Sequence, residues 1–218
     1  MGNRIAATRV SRRTRIMAIA AAGAVLLGGI GITSLAAWTD QEYVQGGVGG
    51  TGGVGSSTFD VLQSVAADSS AFTSRNASPG GVIDFTSVAS ALSPGKVVYG
   101  WVQVKTNNPS LDGTLNLKSN ITTLTGLSQY LSYGAVIVPS TAACTSAGYA
   151  TASATPANVL AAPASALNVN GTQSFTLAAN GTETKTVCFQ LTMQPTGVPI
   201  TAMGLTFTPI WYFDAISS

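Results

Sequence analysis

Val187-Cys188-Phe189-Gln190-Leu191-Thr192-Met193-Gln194 alternates apolar and polar residues with a period of two. Successive side chains of an extended strand point to opposite faces, so Val187, Phe189, Leu191 and Met193 form one face and Cys188, Gln190, Thr192 and Gln194 the other. Such a strand is half-buried in an antiparallel sheet.

The pattern continues on both sides. Upstream, residues 173–178 form a second strand that approaches the first through Asn180-Gly181, a dipeptide suited to the positive backbone dihedrals of a tight hairpin. These two strands are expected to pair antiparallel. Residues 97–105 place Val98, Val102 and Val104 on one side, and residues 114–118 alternate Leu115 and Leu117 with polar neighbours. Asn107-Asn108-Pro109 and Asp112-Gly113 supply the turn chemistry between them. The last run sets Leu205, Phe207, Trp211 and Phe213 against Thr206, Thr208, Tyr212 and Asp214. Pro209 interrupts it, which predicts an edge strand or a bulge because proline donates no ladder hydrogen bond. Residues 86–92 and 157–166 are short helical candidates. Many strands of similar length with few helices predict an all-β fold over residues 58–218, a jelly-roll-like β-sandwich of two antiparallel sheets.

The N-terminal quarter of the chain has another character. Arg4, Arg9, Arg12, Arg13 and Arg15 precede an uncharged apolar run over residues 16–37, and Ser34-x-Ala36 provides the small residues that a signal peptidase requires. Residues 1–36 read as a helical signal segment cut between Ala36 and Ala37. A retained membrane anchor is the competing reading, since the run exceeds the ~18 residues that span a bilayer. Ser11-Arg12-Arg13 is a weak twin-arginine feature, with the charged Arg15 where such signals carry an apolar residue. Residues 37–57 form an arm and a linker: Trp38 and Tyr43 stand among polar residues, and the stretch 46–57 is Gly-rich.

Removing the leader reverses the charge. The precursor carries ten Lys and Arg against eight Asp and Glu, but five of the ten lie in the leader and all eight acids lie beyond it. The exported chain is therefore mildly acidic, without the basic cluster that phosphate binding needs, and no nucleic-acid partner is expected. Export also places Cys144 and Cys188 in an oxidising compartment, where a single disulfide is expected. Closing that loop stabilises the fold by roughly 3–4 kcal/mol in the chain-entropy description. Because Cys188 falls on the polar face of its strand, the bridge is expected to pin a loop to the outside of the sandwich.

Ala36-Ala37-Trp38-Thr39-Asp40-x-Glu42, the turn Leu92-Ser93-Pro94-Gly95-Lys96 before a Val-rich strand, and Lys105-Thr106-Asn107-Asn108 together resemble the TasA and camelysin proteins. Those are exported bacterial proteins whose leaders resemble substrates of a SipW-type signal peptidase. In that family the cut region reads small-aromatic-x-Asp, which Ala37, Trp38 and Asp40 reproduce, and a Leu-x-Pro-Gly turn precedes a jelly-roll strand. The resemblance implies a secreted protein of the bacterial cell surface or biofilm matrix that forms fibres or a coat as a homo-oligomer. It makes Trp38, Asp40, Glu42 and Tyr43 the candidate assembly arm. The Gly-rich insert after the arm departs from the family, and residues 119–172 match no motif of it. An arm on a linker can add itself as a strand to a neighbour's open sheet edge, and a repeated head-to-tail contact of that kind yields a filament.

The chain contains no histidine, which removes Ser-His-Asp, Cys-His and H-E-x-x-H chemistry. No enzyme activity, cofactor or metal is expected, since Asp40 and Glu42 alone fall far short of a calcium site. A membrane contact is expected only through an uncleaved leader. The alternative function is a glycan- or surface-binding module in which Tyr99, Trp101, Trp211 and Tyr212 form an aromatic platform. Against it, both faces of a central strand carrying Tyr99 and Trp101 would be covered.

Overall fold

The computed structural model describes residues 58–66, 71–85 and 92–218. The leader, the arm, the whole linker and residues 86–91 of the helical candidate at 86–92 lie outside the described residues. Nine strands form among the described residues: β1 (Val61–Val65), β2 (Thr73–Ser74), β3 (Val97–Thr106), β4 (Gly113–Ser119), β5 (Leu131–Val138), β6 (Val159–Ala166), β7 (Ser174–Leu177), β8 (Lys185–Met193) and β9 (Trp211–Ser217). One α-helix, α1 (Ser146–Ser153), sits between β5 and β6. The strands make two antiparallel sheets, ordered β2-β1-β3-β8-β5-β6 and β7-β4-β9, and the fold is the expected all-β sandwich.

The alternation in 187–193 sets the core. Val187, Phe189, Leu191 and Met193 turn inward with Val98, Val102 and Val104 of β3 and Leu131, Tyr133 and Ala135 of β5. The smaller sheet answers with Leu115, Leu117, Phe175 and Leu177, all buried. Fully burying one such side chain stabilises the fold by roughly 1.5–3 kcal/mol, so the ten-residue β3 and the nine-residue β8 hold most of the structure together.

Three expectations are corrected. Residues 173–178 and the 187–194 strand do not pair as a hairpin: β7 pairs with β4 in the small sheet, while β8 lies between β3 and β5 in the large one. Asn180 and Gly181 do take positive φ, 58° and 64°, but seven residues separate Leu177 from Lys185, enough chain to cross the roughly 10 Å between sheets. The corner clamps onto β3, where the Thr106 hydroxyl donates to Ala178 O and accepts from Gly181 N–H. Next, the helical candidate at 157–166 is a helix only at residues 157 and 158, the end of a single 3-10 turn, and residues 159–166 are extended. They form edge strand β6, whose alanines pack on β5 across a bulge at Pro163 and Ala164. The third correction concerns the outer face of β8, which is not bare. Cys188 is fully buried there with Val136, Val138 and Tyr149, beneath the segment that carries α1.

That segment is built locally. Thr145 caps α1 by accepting from Gly148 N–H at 3.2 Å, and Tyr149 and Ala152, three residues apart, face the sheet. The Cys144–Cys188 disulfide forms as expected, with 5.3 Å between Cα atoms, and it does pin a loop to the outer face. Tyr149 is a second plug. A Cβ at Gly134 would collide with its hydroxyl and lie 3.0 Å from Pro163 Cα, so only glycine leaves room for the ring tip.

Candidate functional site

Among the described residues the two sheets present four edges, which differ in how they meet solvent. Edge strand β2 has two residues, β7 has four, and β6 is bent by Pro163 and by Ala164 at φ 63°. Short, kinked or proline-bearing edges resist pairing with another chain. By contrast β9 runs seven residues without proline or register shift, pairs only with β4, and has a free second edge among the described residues. The run expected over 205–214, at an edge or with a bulge at Pro209, is an edge strand only from Trp211 onward, and residues 205–210 before it are not strand.

The direction of each β9 backbone group follows from the ladder. Asn120 N–H donates to Ile210 O, and Ser218 N–H donates to Asp112 O. In an antiparallel pair hydrogen-bonded positions alternate, so residues 210, 212, 214, 216 and 218 direct their N–H and C=O groups at β4. Trp211, Phe213, Ala215 and Ser217 direct theirs at the free edge.

Beside that edge lies a cleft of about 470 Å³ between the two sheets. Val61, Gln63 and Val65 of β1 form one wall, Trp211, Phe213 and Ala215 of β9 the other, and Val102 and Phe189 the floor, with residues 75–81 at the rim. Trp211 packs 4.9 Å from the Phe189 ring and 5.2 Å from Tyr133, centroid to centroid. Its indole N–H is buried without a hydrogen-bond partner among the described residues, so it is a donor available to an acceptor entering the cleft. Asp60 is occupied in holding the fold: its carboxylate accepts from the Ser74 hydroxyl at 2.8 Å and from the Asn107 amide at 3.1 Å.

The predicted aromatic platform is not brought together. Tyr99 lies on the outer face of the large sheet against Tyr149, 5.6 Å between centroids, and Trp101 shares that face. Trp211 is inside the sandwich, and Tyr212 is on the outer face of the small sheet. Ala36, Ala37, Trp38, Asp40, Glu42 and Tyr43 lie outside the described residues. Sequence reasoning identified β9 as an edge but missed which of its residues face outward along it. The parity of the ladder could not be read without knowing that β4 is the partner.

Two tyrosines are perturbed. Burial pushes the Tyr133 phenol up to about 12, and its hydroxyl donates to Val169 O. Burial, followed by the nearby Tyr99, pushes Tyr149 up to about 12 as well. Neither lines the cleft, and both act as neutral packing groups. No protein-family model matches this chain, and no curated protein matches it at a significant level.

Proposed function

We propose that this is a secreted structural protein of a bacterial cell surface or biofilm matrix, which assembles into fibres or a coat when the arm of one copy pairs with β9 of the next. The observation that carries this reading is the seven-residue edge of β9, unpaired among the described residues, beside a half-apolar cleft, while the other described sheet edges are short or kinked. An added strand gains backbone hydrogen bonds from Trp211, Phe213, Ala215 and Ser217, and alternate side chains enter the cleft. The arm, with Trp38 and Tyr43 as anchors, is the donor, and cleavage between Ala36 and Ala37 by a SipW-type signal peptidase frees it.

Thr58, the first described residue, accepts from Leu111 N–H through its carbonyl at the same end of the body as Gly113 and Ser217. Twelve linker residues, 46–57, span up to about 40 Å when extended, enough for the arm to reach beyond its own subunit. The test is electron microscopy of the exported protein with and without residues 37–45. Filaments or sheets that require the arm support the reading. Unchanged assemblies in the deletion, or no assembly by the intact exported chain, overturn it.

A further inference from the structure

An arm that adds to β9, the reading on which the following proposal rests, must turn one of its two faces into the cleft. Residues directly opposite each other in neighbouring strands share a face of the sheet. Trp211, Phe213 and Ala215 line the cleft, whereas Tyr212, Asp214 and Ile216 alternate with them on the outer face and are exposed. Every second residue of an added strand therefore enters the cleft beside Trp211, Phe213 and Ala215. Within residues 37–45 the choice lies between the face of Trp38, Asp40 and Glu42 and the face of Thr39, Gln41 and Tyr43.

Charge decides between them. Arg75, the only arginine beyond the leader, lines the cleft, and its side chain passes so close to Gly81 that a Cβ there would lie 3.0 Å from its Nε. The Trp211 indole N–H is a buried donor without a partner among the described residues, and Gln63 brings an amide from the opposite wall. Asp60, the other charged residue of the lining, is held by Ser74 and Asn107. The arm carries two acids and no base. Turned outward, Asp40 and Glu42 would stand beside Asp214, and like charges on neighbouring strands repel. Turned inward, they meet a cation and a buried donor, the partners a carboxylate needs to offset its lost hydration in a half-apolar cleft. The same choice buries Trp38 and sets Tyr43 on the outer face beside Tyr212 and Ile216, which are 49% and 58% exposed, so both aromatic residues still anchor the arm. We propose that the cleft is specific for an acidic strand face: the arm of a second copy enters with Trp38, Asp40 and Glu42 inward, and its carboxylates take the Trp211 N–H and the Arg75 charge.

The test is a scan of the arm in the exported chain, purified from Ala37 onward so that processing does not enter the comparison, with the critical concentration for assembly read by light scattering. Substitutions in the arm leave the sandwich itself unchanged. Trp38→Ala, Asp40→Ala and Glu42→Ala should each raise the critical concentration by about tenfold or more, and Thr39→Ala and Gln41→Ala by less than about threefold. In chains carrying Trp211→Phe or Arg75→Gln, checked for folding by thermal melting, the effect of Asp40→Ala or Glu42→Ala should shrink, because the partner is already gone. A scan without this alternation, a stronger effect at 39 and 41, or undiminished effects of both acid variants in both backgrounds would overturn the proposal. Deletion of residues 37–45 separates it from the reading beneath it. If the deletion abolishes assembly while the alternation fails, strand addition stands and the acidic face falls; if the deletion leaves assembly intact, both fall.

Discussion

Proline at one position of β9 separates the strand's role in the fold from its role at the open edge. Ala215 sends its N–H away from β4, whereas its neighbour Ile216 sends its own into the β4 ladder opposite Thr114. Ala215→Pro should therefore leave the sandwich almost as stable as before, with a loss under ~1 kcal/mol, because proline is tolerated where an edge N–H faces solvent. Ile216→Pro removes a ladder bond and should cost several times more, although the exposed Ile216 side chain contributes little packing of its own.

Assembly should show the opposite sensitivity. Ala215→Pro removes one of four N–H groups offered to an incoming strand, and its ring obstructs the approaching carbonyl. One net hydrogen bond at about 1 kcal/mol, plus a carbonyl left unpaired at roughly 1–3 kcal/mol, amounts to about 2–4 kcal/mol per contact. That raises the critical concentration for assembly by roughly 30- to 1,000-fold. Light scattering against protein concentration measures this quantity, and thermal melting of the unassembled variants measures the fold. Assembly of Ala215→Pro at the wild-type critical concentration would refute strand addition at β9. Equal destabilisation of the two variants would refute the assignment of backbone directions.

The disulfide, the two buried tyrosines and the notch at Gly134 give four further expectations. Replacing Cys144 and Cys188 with serine should cost roughly 3–4 kcal/mol, seen by calorimetry as a melting point about 10 °C lower; a fall of only a degree or two would mean that the bridge is dispensable. Because Tyr133 and Tyr149 ionise near pH 12 when folded and near 10 when unfolded, their stability contribution is complete below pH 10 and is lost between 10 and 12, as denaturant melts across that range should show. Tyr133→Phe strands the Val169 carbonyl and should cost about 1–3 kcal/mol, whereas Tyr149→Phe removes a buried hydroxyl without a partner and should be neutral or stabilising. Finally, Gly134→Ala should destabilise by about 1–3 kcal/mol, and Tyr149→Phe in the same chain should recover part of it; strict additivity would mean that the ring tip does not fill that notch.

The strands that alternate cleanly were legible because one face of each is dry and the other is not, as in 97–105, 114–118 and 187–193. Where both faces are covered the signal disappears. In β5, Leu131–Val138, the outward Gly134, Val136 and Val138 are as buried as the inward Leu131, Tyr133 and Ala135, so the period of two is masked. Alanine-rich β6 reads as a helix because alanine favours one, and only pairing with β5 makes it a strand. The hairpin expected at Asn180-Gly181 failed for a related reason. Positive dihedrals specify a local turn, but whether it returns to the same sheet or crosses to the other depends on the partners of β7 and β8, which lie far away in sequence.

The same corner shows why the open edge survives. Asn180 accepts from Ser110 N–H and donates its own N–H to Ser110 O, so the crossing at 178–182 is knitted to the crossing at 107–112. Both crossings sit where the chain joins the body, and together they fix β4 and β7 relative to β3 and β8. Nothing comparable among the described residues ties β9 to β1 across the cleft: β9 is held through β4 and through Trp211 packed on Phe189 and Tyr133. An edge anchored by its aromatic face needs no partner on its other side to stay in register. It can therefore remain ordered and unpaired in the single molecule, the state that an acceptor strand requires before a donor arrives.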